Sequence, residues 1–231
     1  MPTPSKVAVL SGSGLSAESG LPTFRDAAGL WRQYSWMELA SPEGWEANPA
    51  VVLEFYNERR ARAWNAQPNA AHLAIAALEA HHEVVVITQN VDNLHERAGS
   101  SRVLHLHGEL AFARGTGPSR RRYRIDGAAI EMGQTCEEGT QLRPDIVWFG
   151  EETQHMDEAR RHVESADKVL VVGTSLSVYP AAGLVDYARR DADKVLNALE
   201  MDELPAGFRF VEGRATAVVP GITAAWSAPA R

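Results

Sequence analysis

Six apolar runs are spaced along the chain, and each is too short to form a helix of ordinary length. Most of them are apolar on consecutive positions, which is typical of strands that are covered on both faces. The runs occupy residues 6–10, 82–88, 102–107, 144–150, 167–173 and 193–199. This pattern predicts a buried sheet whose strands run mostly parallel.

Helical patterns lie between several of these runs. Residues 48–64 carry Pro49 at their first helical position, and Asn69 begins a second pattern. A third helix is predicted to close on Gly99, which suits the position after a helix end, and Pro180 stands where a fourth helix begins. Because strands and helices alternate, we predict an α/β fold: a Rossmann-like, doubly wound parallel sheet with helices on both faces.

Two segments interrupt this alternation, and we interpret them as insertions. Residues 21–81 contain helical patterns without a strand pattern, and residues 109–143 are rich in glycine, arginine and other polar residues. We expect the two insertions to form together a smaller lobe within a single domain that spans residues 1–231. The basic run at 119–124 falls in this lobe and is interpreted as a solvated face rather than a nucleic-acid site.

The composition is that of a globular protein and narrows the classes of partner. The chain has 231 residues, of which 45% are hydrophobic and 23% charged, so it is long enough to bury a substantial core. The formal net charge of −7 disfavours nucleic acid and leaves cationic partners such as lysine-rich peptides open. A single cysteine excludes any multi-cysteine metal site, so no metal is expected. With neither a leader-like segment nor a membrane-spanning run, we expect a cytoplasmic location without a membrane partner.

A glycine-rich loop follows the first predicted strand. Gly12, Gly14 and Ala17 match the pattern G-x-G-x-x-G/A, in which glycines permit a tight turn and let backbone N–H groups approach a pyrophosphate. A hydride-transferring enzyme would also carry an acidic residue about 20 residues further on, at the end of a second strand. The corresponding segment, "LWRQYSWMELAS", has no strand pattern, so this class of enzyme is disfavoured. Phe24 and Arg25 lie in a following loop that either folds over a nucleotide or combines a core side chain with a solvated one.

Polar clusters follow three of the predicted strands. The segments are "TQNVDNLH", "HLHGE" and "GTSLSVYP", and ligands of open α/β sheets bind beyond the carboxyl ends of the strands. Gln89, Asn90 and Asp92 offer amide and carboxylate partners for ribose hydroxyls and a carboxamide, and residues 173–175 resemble a second turn that contacts phosphate or ribose. His107 is the best candidate for a general base, because imidazole titrates near neutrality. Three clusters at one sheet edge indicate a nucleotide site.

The quoted segments resemble the sirtuins, the family of NAD-dependent protein deacylases. "GSGLSAESGLPTFRD", "TQNVDNLHERAG", "HLHGE", "LRPDIVWFGE" and "VVGTSLSVYPAAG" are similar to five sequence blocks of that family, and the similarity runs from about residue 6 to about residue 220. The resemblance implies that NAD is consumed: the acyl oxygen of an acylated lysine attacks the nicotinamide ribose, nicotinamide leaves, and the acyl group is transferred to ADP-ribose.

The resemblance also implies roles for individual residues. His107 would draw a proton from a ribose hydroxyl, and Asn90 and Asp92 would hold the nicotinamide ribose and carboxamide. Val147 and Phe149 would flank the lysine stem, and their strand would pair with the peptide backbone. The further cofactor-binding positions are Gly12, Ser13, Gly14, Ser16, Ala17, Glu18, Thr23, Phe24, Arg25, Trp31, Gln89, Val91, Gly173, Thr174, Ser175, Asn197 and Ala215.

One helix carries a hint about the acyl group. Tyr56 and Arg59 are three residues apart in "EFYNERR", so a helix places them on one face. They match the Y-x-x-R element of the class III sirtuins, which favour succinyl, malonyl and similar acidic acyl groups. A guanidinium can bind a carboxylate through two parallel hydrogen bonds, and a phenol adds a third donor. Ala40 matches a small residue that leaves room in that pocket. The alternative is that Arg59 is a solvated member of a basic helix.

The chain departs from the family in its small lobe. Sirtuins usually carry four cysteines that hold a structural zinc, whereas this chain has Cys136 alone, which we expect to be a buried, inert thiol. The stability of residues 109–143 is therefore in question more than catalysis is. Two alternatives to the deacylase stay open: an NAD glycohydrolase or ADP-ribosyltransferase that uses the same pocket, and a non-enzymatic protein that binds NAD.

Overall fold

The computed structural model describes residues 4–23 and 34–228. Phe24, Arg25 and Trp31, three of the expected cofactor-binding positions, lie outside the described residues. Within the described ranges, no helix combines the length and the apolar character needed to span a bilayer.

Two sheets form the framework of the molecule. The larger has six parallel strands in the order β3-β2-β1-β7-β8-β9, and the smaller has three antiparallel strands in the order β5-β4-β6. The strands are β1 (Lys6–Ser11), β2 (Glu83–Thr88), β3 (Val103–His105), β4 (Gly108–Gly115), β5 (Arg122–Arg124), β6 (Leu142–Ile146), β7 (Lys168–Val172), β8 (Asp193–Ala198) and β9 (Arg209–Glu212). The strand order changes direction between β1 and β7, where a Rossmann-like sheet forms its ligand crevice.

Helices cover both faces of the larger sheet, as the alternating pattern predicts. The helices are α1 (Ser13–Ala17), α2 (Trp36–Leu39), α3 (Pro42–Ala47), α4 (Pro49–Asn65), α5 (Ala70–Ala77), α6 (Leu94–Ala98), α7 (Met156–Ser165) and α8 (Ala215–Ser227). One face packs against α7 and a 3₁₀ helix at Ala181–Tyr187. The other face packs against α5 and α8, whose apolar side chains include Ile75 and Trp226. The expected fold class is therefore confirmed.

The small lobe joins the smaller sheet to helices of the first insertion. Leu39, Phe55 and Tyr56 pack with Ile146 and Trp148, and α4 lies against both β4 and β6. The first insertion contributes to this lobe only as far as α4. Helix α5, which the sequence analysis assigns to the same insertion, packs instead on the larger sheet.

The apolar run at 144–150 differs most from its prediction as a strand of the parallel sheet. Its strand, β6, spans Leu142–Ile146 and pairs antiparallel with β4 in the small lobe. All five residues of β6 are buried, as the run indicates, but they are covered by the lobe. Burial on both faces produces the same apolar pattern whichever elements provide the cover. Pro180 also precedes a 3₁₀ helix rather than the α-helix expected there.

A close approach of two loops defines the edge of the crevice. The backbone N–H of Gly12 donates to the carbonyl of Val172 over 3.0 Å, and that of Gly14 donates to Gly173 over 2.8 Å. Gly173 has φ of +64°, and a Cβ on it would lie 2.2 Å from the backbone nitrogen of Leu15. A residue with a side chain therefore fits neither the backbone conformation nor the space.

Replacing Gly173 with alanine should destabilise the protein. The strained φ and the clash with Leu15 each cost about 1–3 kcal/mol, so we expect the free energy of unfolding to fall by about 2–6 kcal/mol. The matched control is Gly221→Ala in α8, where a Cβ meets no atom within 4 Å and alanine favours the helix by about 0.5–1 kcal/mol. Urea unfolding of both variants distinguishes them, and equal midpoints would contradict the assigned constraint.

Candidate active site

Three polar segments meet where β1, β2 and β7 end. The backbone N–H of Gln89 donates to the carbonyl of Ser11 over 2.9 Å, and the Gln89 amide donates to the hydroxyl of Thr174 over 3.4 Å. The Asn90 amide reaches back to the glycine loop, donating to the Gly12 carbonyl over 3.1 Å and to the Ser16 hydroxyl over 3.0 Å. The clusters that the sequence places at separate strand ends thus form one site.

Asn90 and Asp92 are both buried at the floor of this site. Asp92 accepts a hydrogen bond from the backbone N–H of Leu94 over 3.1 Å, at the start of α6. Burial raises the pKa of Asp92 above its ordinary value of 3.8, while the hydrogen bonds from Leu94 and Ser16 partly oppose that rise. The Asn90 side chain uses both of its N–H groups within the protein, which leaves its oxygen as the remaining acceptor.

His107 follows β3 and contacts the turn after β2. Its Nδ1 lies 3.2 Å from the carbonyl oxygen of Gln89. A carbonyl can only accept, so Nδ1 carries the proton and the lone pair is on Nε2. Burial lowers the pKa of His107 below 6.5, and the hydrogen bond to Gln89 opposes this shift only in part. The imidazole is therefore neutral at pH 7, with the protonation state that a general base requires.

Gly108 sets the direction of the chain after His107. It has φ of +80°, and a Cβ on it would lie 2.0 Å from the carbonyl oxygen of Asp145. The chain therefore turns from β3 into β4 directly beside β6, which brings the small lobe against the site. The backbone N–H of Val147 then donates to the carbonyl of His107 over 2.9 Å.

Asn197 lies on the other side of the β1–β7 switch. Its amide donates to the carbonyls of Val211 and Gly213 over 2.8 and 3.0 Å, and its buried Oδ1 has no partner among the described residues. A buried acceptor without a partner is costly, so a ligand hydroxyl in that position would satisfy it. Glu18, expected at the cofactor, accepts hydrogen bonds from the backbone and side chain of Thr216 near the start of α8.

The remaining predicted cofactor positions lie after β1, after β2 and on the β7–α8 side. Ser13, Ser16 and Ala17 belong to α1, and Thr23 is the last described residue before the gap at 24–33. Val91 lies in the turn after β2, where its carbonyl accepts from Leu110 over 2.8 Å. The others are placed along the β7–α8 side: Thr174 and Ser175 follow β7, and Ala215 is the first residue of α8.

Tyr56 and Arg59 form the side of the site that the small lobe provides. Both are on α4, and Tyr56 is buried, where its phenol accepts a hydrogen bond from the Trp148 indole over 3.1 Å. Burial raises the pKa of Tyr56 to about 12, so the phenol keeps its proton at neutral pH. Burial also lowers the pKa of Arg59, while the charges of Tyr56 and Asp92 oppose that shift. Since the charge of Asp92 acts on Arg59, this face of α4 adjoins the turn after β2.

Val147 and Phe149 follow directly after β6. The backbone N–H of Phe149 donates to the carbonyl of Ala40 over 2.9 Å, which ties the segment to the end of α2. Phe149 is 43% exposed, and its ring centroid lies 4.3 Å from that of Trp36. An exposed aromatic pair is suited to bind an aliphatic chain.

Sequence analysis missed the residues that hold this segment in place. Arg143 stacks 3.3 Å from the ring centroid of Trp148 and pairs with both carboxylate oxygens of Glu151 at 2.8 and 3.0 Å. Glu151 also accepts from the backbone N–H of Trp148 over 2.8 Å. The sequence does carry a signal for this pair. In "LRPDIVWFGE" a charged residue stands on each side of the apolar run, and charges beside a buried run need partners.

Ion pairs and hydrogen bonds link the strands of the small lobe. Cys136 is half-buried rather than buried, and its thiol lies 3.2 Å from the Thr140 hydroxyl, a hydrogen bond that lowers the pKa of Cys136 below 9.0. The expectation of a buried thiol is therefore wrong, whereas its inertness stays a prediction. Arg114 pairs with Glu151 at 2.9 Å, and Arg122 pairs with Asp145 at 2.5 Å, so charged side chains link β4, β5 and β6.

The sequence of this chain is similar to those of a known protein family. The Sir2 family pattern matches residues 12–180. A protein of Helicobacter pylori strain J99 named NAD-dependent protein deacylase is 53% identical over 184 residues, which cover 80% of this chain and 78% of the relative. A protein of the same name from Caulobacter vibrioides is 44% identical over 233 residues and covers 93% of this chain and 94% of the relative.

Solved structures give the same assignment. The structure of a Sir2 homologue mutant bound to ADP-ribose superposes with a TM-score of 0.86 at 38% identity, covering 98% of this chain and 96% of that chain. A Sir2 homologue in complex with NAD superposes with a TM-score of 0.85 at 40% identity, covering 96% of this chain and 89% of that chain. The resemblance of the sequence motifs is thus confirmed over the whole fold, and this chain belongs to the Sir2 family, the sirtuins.

Proposed function

We propose that this chain is an NAD-dependent protein-lysine deacylase, which transfers the acyl group from lysine to ADP-ribose and releases nicotinamide. The observation that carries the proposal is the convergence of a neutral His107 with buried Asn90 and Asp92 at the end of β2. The relatives named NAD-dependent protein deacylase support the same activity. The predictions of a cytoplasmic location and of no nucleic-acid partner rest on the sequence alone.

The residues present fit NAD. Gly12 and Gly14 have no room for a Cβ, because Gly173 and Thr174 lie within 3 Å of that position, so only glycines let the loop reach the sheet edge where a pyrophosphate would bind. The unpartnered Oδ1 of Asn197 suits a hydroxyl of the adenosine ribose. When bound, NAD supplies a ribose carbon that accepts the acyl oxygen as nicotinamide leaves.

The chain's own residues would position the reactants and move one proton. Asn90 and Asp92 would fix the nicotinamide ribose and carboxamide, which makes a weak amide nucleophile effective through proximity. The Nε2 of His107 would take a proton from a ribose hydroxyl, since its Nδ1 is held by Gln89. Val147 and Phe149 would flank the lysine stem that enters from the lobe side.

The lobe pocket favours an acyl group that ends in a carboxylate. Because the Tyr56 oxygen accepts from Trp148, its own proton is available to a ligand, and Arg59 adds a cation on the same helix face. A partly desolvated guanidinium binds a carboxylate more strongly than an exposed one does. The carbonyl of Ala40 accepts a hydrogen bond from the backbone N–H of Phe149, and its small side chain would leave space beside Tyr56 and Arg59. We therefore propose succinyl- or malonyl-lysine as preferred substrates, with acetyl-lysine as a slower one.

The preference is tested with matched succinyl- and acetyl-lysine peptides and NAD. We expect nicotinamide release that depends on peptide, with a higher kcat/KM for the succinyl peptide. Arg59→Met should reduce the succinyl-to-acetyl ratio of kcat/KM by about 10–100-fold, the loss of a hydrogen bond to a charged group. The matched control is Arg62→Met on the same helix, whose exposed guanidinium pairs with Glu58 and should leave the ratio unchanged.

The outcomes separate the alternatives. Equal kcat/KM for the two peptides would contradict an acidic acyl pocket while leaving the deacylase intact. Nicotinamide release without any peptide would indicate an NAD glycohydrolase, and a peptide whose mass increases by ADP-ribose would indicate a transferase. Peptide mass spectrometry alongside nicotinamide release distinguishes all of these.

The general-base assignment predicts the acid side of the pH profile. His107 acts only as the neutral imidazole, so kcat/KM should fall as pH decreases through its pKa, which burial lowers below 6.5. We expect the acid limb to have a midpoint below 6.5 and to disappear together with activity in His107→Ala. Steady-state rates between pH 5 and 7, with far-UV circular dichroism to confirm folding, provide the test. A midpoint at or above 6.5 would contradict the assignment.

A further inference from the structure

A second histidine contacts the same turn as His107. His105 is the last residue of β3, and its ring is buried, with 5% of its surface exposed. Its Nδ1 lies 2.9 Å from the carbonyl oxygen of Asn90, whereas that of His107 lies 3.2 Å from the carbonyl oxygen of Gln89. The two rings therefore donate to successive carbonyls of one turn.

The other nitrogen of His105 faces carboxylates. Its Nε2 lies 2.8 Å from Oε1 of Glu96 on α6 and 4.0 Å from Oε2 of Glu109 on β4. The Asn90 carbonyl requires a proton on Nδ1, and the Glu96 carboxylate requires one on Nε2, so both ring nitrogens carry protons. Burial by itself lowers the pKa of His105, but the hydrogen bond and charge of Glu96, with the charge of Glu109, raise it above 6.5 overall.

The surrounding charges complete this arrangement. Glu109 also pairs with Arg122 on β5 at 2.6 Å, so a guanidinium already neutralises the second carboxylate and the cluster is an ion-pair network. Two further titratable groups feel the charge on His105. It lowers the pKa of Asp92, which burial raises, and it adds to the burial that lowers the pKa of His95 on α6.

We propose that His105 is a positioning residue for the deacylase reaction. As an imidazolium held by Glu96, it donates to the Asn90 carbonyl and fixes the turn that carries Asn90 and Asp92 opposite His107. This inference rests on the proposed function, because it assigns His105 to residues with roles in that reaction. When His105 loses its proton, its ring can no longer satisfy both the carbonyl and the carboxylate, and the turn loses one of its anchors.

The proposal predicts that activity falls at alkaline pH because His105 loses its proton. A histidine whose pKa is raised in the folded state stabilises the fold fully below pH 6.5. That stabilisation is lost as the pH rises through the raised pKa. Activity should therefore fall on the acid side through His107 and on the alkaline side through His105. The two limbs respond to different residues and can be changed separately.

The test compares kcat and KM from pH 5.5 to 9.5 in three variants and a control. Glu96→Gln removes the neighbouring charge, so the alkaline midpoint of kcat should move down by about one pH unit. His105→Asn places an amide N–H near the position of Nδ1 without a titrating group, so the alkaline limb should disappear while the acid limb remains. His105→Leu removes the donor and should lower kcat at pH 7 about tenfold or more, a loss that His105→Asn restores in large part. His162→Asn on α7 is the matched control and should change neither limb.

A direct titration separates this inference from the proposed function. The ¹⁵N chemical shifts of the His105 ring, followed by NMR without substrate, should give a pKa above 6.5 that Glu96→Gln lowers. An alkaline midpoint that is identical in Glu96→Gln and the natural protein, or a full kcat in His105→Leu, would overturn the positioning role. If His105→Leu does not fold, Glu96→Gln and the NMR titration still decide the question. A protein with the expected His105 titration but no peptide-dependent acyl transfer would instead overturn the proposed function alone.

Discussion

The contact between the loops after β1 and β7 is the constraint on which the site depends. The glycine loop can donate to Val172 and Gly173 only because Gly173 adopts a left-handed backbone and carries no side chain. That contact fixes the start of α1, and Asn90 then binds the same loop through Gly12. The turn after β2 is therefore aligned with the loop after β1 by contacts within the protein itself.

Two histidines extend this alignment from β2 to β3. Their Nδ1 atoms contact the carbonyls of Gln89 and Asn90, and their environments give them opposite protonation states. His107 is half-buried, has no carboxylate partner among the described residues and is neutral, whereas His105 is held by Glu96 and is charged. Two histidines that are two positions apart thus have different protonation states, because their Nε2 atoms face different surroundings.

The sequence was sufficient for the parallel sheet and for the meeting of polar strand ends at one edge, but not for the small lobe. Strands β1, β2, β7 and β8 are recognisable because they are short and apolar throughout, and the polar groups at their ends converge because parallel strands end at one edge. Strand β6 was placed in the wrong sheet, since an apolar run does not indicate which elements cover it. The roles of Glu151 and His105 also depend on distant partners: Arg114 approaches Glu151 from β4, and Glu96 approaches His105 from α6. Such pairings are set by tertiary structure and leave little trace in local spacing.

The ion pairs of the small lobe have a consequence for how it responds to its environment. A lobe held by metal-bound thiolates would offer a chelator or an oxidant a single point at which the lobe could be dismantled. Here Arg114, Arg143 and Glu151 share the same task with the pair of Arg122 and Asp145, and the chain's one thiol lies outside that network. The segment that carries Val147 and Phe149 should accordingly keep its shape under oxidising or chelating conditions, whereas strong acid, which protonates the carboxylates, should loosen it.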